Sequence, residues 1–122
     1  MTLVFWIVAG LAAASFLAAG SMKLIRSRAA LKAAGMGWVD EFSATAVKLI
    51  ALSEVLGAIG LILPVLTGIA PILSPIAGIG LTIVMIGAVI VHARRREPFG
   101  PQIGLTLLAL AAAVLGFAVV LG

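Results

Sequence analysis

Lys48-Leu49-Ile50-Ala51-Leu52-Ser53-Glu54-Val55-Leu56-Gly57-Ala58-Ile59-Gly60-Leu61-Ile62-Leu63-Pro64 is an almost wholly apolar run that holds one carboxylate. A run of this length can cross the roughly 30 Å hydrocarbon core of a bilayer as a helix. A carboxylate is costly in lipid, so Glu54 requires either a partner or a purpose. The rest of the composition points to the same setting. Of 122 residues, 64% are hydrophobic and 10% are charged, where soluble domains carry about 25% charged residues. So few charges cannot cover a soluble fold of this length, so the class is integral membrane.

Three further hydrophobic spans flank this run, and the pattern predicts helices over about 3–22, 44–63, 72–91 and 103–121. Pro64, Pro71 and Pro75 are expected to stop the second span and start the third, because proline lacks an N–H and suits a helix start. Pro98 and Pro101 are expected to force the turn before the fourth. Arg26 to Ser43 is the one long polar segment. In it, Ser27 to Ala34 reads as a short interfacial helix with Leu31 dipping inward. Gly35 and Gly37 break that helix, Trp38 suits the interface, and Asp40 or Ser43 caps the second span. The expected fold is all-α: a single transmembrane domain over 1–122, a four-helix bundle of up-down topology.

A secretory signal is a poor reading of the first span. No basic residue precedes it, whereas Lys23, Arg26, Arg28 and Lys32 follow it, the reverse of signal-peptide order. Together with Arg94, Arg95 and Arg96 these residues place every basic side chain but Lys48 in the first and third loops or at their edges. Basic loops stay in the cytoplasm, so both termini are expected outside it, in a multi-pass protein of the inner (plasma) membrane. The net charge of +4 reads as orientation beside anionic lipid, not as a nucleic-acid surface. The absence of cysteine excludes a dithiol centre or a thiolate metal site, and one histidine makes a protein metal cage unsupported.

Candidate site residues follow from Glu54. Its helical face holds Ala51, Gly57, Ala58 and Leu61, small enough for another helix to approach closely. Lys48 lies six residues away, about 240° around the helix, and so is not the expected partner. Lys23, on a face with Phe16, Ala19 and Gly20, and His92, on a face with Leu81, Met85 and Ala88, are the candidates, His92 directly or through water. Each has a plainer reading: Lys23 as a snorkelling anchor, His92 as an interfacial neighbour of three arginines, Glu54 as a charge that fixes helix register. The glycines of the third span (Gly78, Gly80 and Gly87) read as close helix contacts. Ser74 and Thr82 have no base beside them, so no nucleophilic triad is visible.

Gly20-Ser21-Met22-Lys23-Leu24, the run from Glu54 to Pro64, Gly80 to Ala88, and His92 with its arginines together resemble the DoxX-like family of small bacterial four-helix membrane proteins. The resemblance spans nearly the whole chain. It implies that Lys23, Glu54 and His92 occupy the family's polar positions. It also implies a setting among redox or stress-defence complexes, since one namesake is a subunit of a thiosulfate:quinone oxidoreductase. The leading functional expectation is a non-catalytic accessory or ligand-binding subunit. Glu54, Lys23 and His92 form its binding cluster, a membrane or peripheral protein is its partner, and a homo-oligomer is admitted. The alternatives are a quinone-linked oxidoreductase component, in which Glu54 relays a proton, and a proton-coupled small-molecule transporter.

Overall fold

The computed structural model describes residues 2–122. Helix α1 (Thr2–Ile25) is followed by a short helix α2 (Arg28–Ala33) and a 3-10 turn (Gly37–Glu41). Three long helices complete the chain: α3 (Ala44–Thr67), α4 (Leu73–Arg94) and α5 (Gly100–Leu121). No strand occurs among the described residues. The four long helices are long and apolar enough to cross a membrane. At 1.5 Å per residue, 22 to 24 residues span about 33–36 Å, slightly more than the hydrocarbon thickness. Helices are what such sequences form in lipid, because every backbone N–H and C=O must bond within its own segment.

The helices run up and down in a closed ring. Helix α1 packs on α3, α3 on α4, α4 on α5, and α5 returns to α1. Glycines set the close approaches. A Cβ at Gly20 would stand 2.8 Å from the Ala51 carbonyl oxygen and 3.1 Å from Glu54 Cβ, so α1 and α3 touch backbone to backbone there. Gly57 receives Leu81, and Gly78 lies against Ala113. The central core is built from Ala12, Phe16, Ala58, Leu61, Leu81, Met85, Ala109 and Ala112. The outward faces are equally apolar, with Ile76, Ile79, Ile83, Ile86 and Ile90 exposed along α4. Apolar residues on all sides are what a helix surrounded by lipid requires.

Several expectations need correction. Pro64 does not end α3, which continues to Thr67 and closes on Gly68 in the left-handed region. Proline removes the bond to the carbonyl four residues back and disturbs its neighbour. Ser74 of α4, fully buried, donates to Leu61 O at 2.7 Å, so a hydroxyl from the adjacent helix bonds the backbone of the turn that precedes the proline. Helix α5 starts at Gly100, three residues earlier than expected, because Pro101 sits in its first turn, where its missing N–H has no partner to lose. Helix α1 continues to Ile25, which places Lys23 in its last turn. Of the α4 glycines, Gly78 alone makes a close contact; a Cβ at Gly80 or Gly87 would meet nothing within 4 Å, since both face away from the bundle.

The polar segment folds as a cap over one end. Ser27 Oγ accepts from Ala30 N and starts α2; Ser43 Oγ accepts from Ala46 N and starts α3. Leu31 is fully buried with Val39 and Val47, and Trp38, Met36, Met22 and Phe42 pack around them. This second, smaller core fixes the cap to the bundle. All charged side chains, from Lys23 to Glu54 and from Arg94 to Glu97, belong to this half of the molecule.

Candidate functional site

The seam at Gly20 carries the deepest charge pair. Lys23 Nζ donates to Glu54 Oε1 at 2.6 Å; the lysine side chain is 12% exposed and the glutamate 1%. The ammonium also lies 5.7 Å from the centre of the Trp38 ring, within range of a cation–π attraction. Lys23 is thus held between a carboxylate in the bundle and an aromatic face of the cap. Trp38 is fixed in turn by an edge-to-face contact with Phe42. Glu54 Oε2 is buried and has no hydrogen-bond partner.

Lys48 holds the same corner. Its Nζ donates to the carbonyls of Lys23, Leu24 and Arg26 at 2.7–2.8 Å. The last carbonyls of a helix have no partner within it and carry the negative end of its dipole. One ammonium from α3 therefore closes the end of α1, while Glu54 on α3 takes the ammonium from α1. The two helices exchange charges at two levels. The sequence separates Lys48 from Glu54 correctly but does not disclose this capping role, because a carbonyl acceptor leaves no mark in a sequence.

His92 is not part of the pair. Gly57 opposes Leu81 and Gly60 opposes Ala77, which places Glu54 opposite about position 84 of α4. His92 lies eight residues further along, roughly 12 Å at the helical rise, beyond the reach of an imidazole. Its Nδ1 stands 3.8 Å from Glu97 Oε1 instead and has no hydrogen-bond partner. Arg95 joins this outer layer to the cap, bonding Glu97 through Nε and approaching Glu41 at 3.7 Å. Gly37 leaves room for the guanidinium, since a Cβ there would lie 2.9 Å from Arg95 Nη2. The hydrogen bond to Glu97 raises the pKa of Arg95 above its ordinary value. On the cap, the hydrogen bond from Lys32 at 2.6 Å holds Asp40 below the ordinary carboxylate value.

Two shallow grooves mark the bundle surface. One, of about 330 Å³, lies between α1 and α3 along Ala13, Ala14, Leu17, Ala58, Ile59, Ile62 and Leu63. The other, of about 200 Å³, lies between α4 and α5. Neither is lined by Lys23, Glu54 or His92. Among the described residues no three acidic or histidine side chains gather as a metal site would require.

Four apolar helices in an up-down ring, a cap of polar residues at one end and a buried lysine–glutamate pair beneath it define a small multi-pass membrane protein. A protein-family model, the DoxX-like family, matches residues 7–115, and the chain belongs to that family. No curated protein and no solved structure matches it.

Proposed function

We propose that this protein is a non-catalytic accessory subunit of a bacterial membrane complex, redox or stress-defence in kind. Its capped end faces the cytoplasm, both termini lie outside, and it docks a partner through the cap. The observation that carries this reading is the closure of the Lys23–Glu54 pair. Its ammonium is engaged by Glu54 and Trp38, and neither groove opens on it. The pair is suited to holding α1, α3 and the cap in one arrangement, which is what a docking platform needs. The surrounding arginines support the cytoplasmic orientation.

A quinone at this cluster finds a poor fit. Its carbonyl would need a free donor, but Lys23 is committed to Glu54 and His92 stands about 12 Å away along the bundle. Within the Lys23–Glu54 pair, Glu54 Oε2, buried without a partner, is the atom that favours a ligand or proton role. The test is purification of the tagged full chain from its native membrane in a mild detergent. A second polypeptide in stoichiometric amount is expected, and its loss is expected in Arg95→Ala, which unlinks the cap from the α4–α5 loop. Wild-type protein that stays folded and elutes alone overturns the reading. A quinone in the organic extract that disappears in Glu54→Gln replaces it with the redox alternative.

A further inference from the structure

The groove between α4 and α5 is lined by Ile86, Val89, Ile90, Ile103, Thr106 and Leu107. Its one hydroxyl, on Thr106, is already donated to Gln102 O at 2.7 Å, so the walls present hydrocarbon. The groove approaches the charged end of the bundle. Ile86, Ile90 and Arg94 follow one another at four-residue spacing on α4, which sets Arg94 one turn beyond Ile90 on neighbouring positions of one face. Arg94 and Arg96 are exposed, and among the described residues no carboxylate lies within salt-bridge distance of either. Arg95 between them is engaged with Glu97 and Glu41, so the local carboxylates are already claimed. No acidic residue stands in the first turn of α5.

We infer that this groove binds one anionic phospholipid, with an acyl chain laid between α4 and α5 and the phosphate paired with Arg94, Arg96 assisting. The charges decide the occupant. A shallow, open, apolar channel accepts any flexible chain, but an uncompensated guanidinium at its mouth favours a headgroup with net negative charge. The planar fork of arginine also matches phosphate oxygens two at a time. A zwitterionic lipid fills the channel and gains less at the mouth. The inference rests on the lipid-facing seam between α4 and α5 and does not require a protein partner on the cap.

The experiment is native mass spectrometry of the full chain in detergent, with phosphatidylglycerol and phosphatidylcholine of identical acyl chains added at equal concentration. Retention of phosphatidylglycerol over phosphatidylcholine is expected. Arg94→Gln lowers the phosphatidylglycerol adduct about fivefold, whereas Arg26→Gln, which removes an exposed arginine after α1, leaves it unchanged. Ile90→Trp, which fills the channel, lowers both adducts, and glycerol phosphate alone does not displace the lipid. Arg94 has no partner in the fold, so its replacement leaves the helices intact, checked by circular dichroism. Equal retention of the two lipids overturns the inference. So does equal loss in Arg94→Gln and Arg26→Gln, which reduces the effect to a general positive surface. Displacement by glycerol phosphate overturns the role of the channel.

Discussion

Removing Lys23 strands a carboxylate inside the bundle. In Lys23→Met the Glu54 side chain, 1% exposed, loses its one hydrogen-bond donor, while Oε2 has no partner to begin with. Breaking a buried ion pair from one side costs about 3–5 kcal/mol. Glu54→Gln is the milder change. The amide fills nearly the same volume, and Lys23, 12% exposed, can swing its ammonium toward the aqueous end. A loss of about 1–3 kcal/mol is expected there. The double replacement Lys23→Met with Glu54→Leu removes both charges together and returns to within about 1 kcal/mol of wild type. The assay is unfolding of purified protein from mild micelles by increasing sodium dodecyl sulfate, followed by circular dichroism and, in a Trp6→Phe background, by emission of Trp38, which faces the ammonium. Wild-type-like stability of Lys23→Met refutes the argument. A double variant no better than Lys23→Met refutes it equally, since the two side chains would then not be coupled.

Lys48→Met frees three carbonyls at the end of α1, and hydrogen exchange at residues 24–28 should rise with a loss of about 1–3 kcal/mol. Gly20→Val pushes α1 from α3 at a backbone contact and should abolish the compact bundle on gel filtration. Gly80→Ala, which meets nothing, should raise the thermal midpoint by helix propensity, worth up to about 1 kcal/mol. The cap should respond to acid. Asp40 is depressed by Lys32 when folded, so its contribution is complete above the ordinary value of 3.8 and fades as pH falls below it. Trp38 emission should shift over that acidic range in wild type and lose the shift in Lys32→Ala.

The helices were legible because lipid imposes one rule on long apolar runs. The candidate pairing of Lys23 with Glu54 was legible too, because an intramembrane carboxylate restricts its partners to a few polar residues near the same end. What the sequence hid depends on register between helices. His92 shares an end with Glu54, but the Gly57–Leu81 contact sets α4 too far along for the two to meet. That α3 runs past Pro64, with Ser74 of α4 donating to Leu61 O beside the proline turn, involves a neighbour unknown until α4 is placed. Gly78, Gly80 and Gly87 look alike in the sequence. Only the bundle distinguishes the one that meets Ala113 from the two that face outward.

The Lys23–Glu54 pair also bears on how the chain enters the membrane. During synthesis α1 leaves the insertion channel first, with its lysine near one surface. Helix α3 follows with a carboxylate well inside its apolar run, a residue that raises the free energy of release into lipid by about 2.5–3.5 kcal/mol when alone. The waiting ammonium of α1 offsets that term if the two helices depart side by side, and the glycine seam at Gly20 lets them do so in contact. Formed at that stage, the pair would favour release of α1 and α3 together, with α4 and α5 packing onto them afterwards.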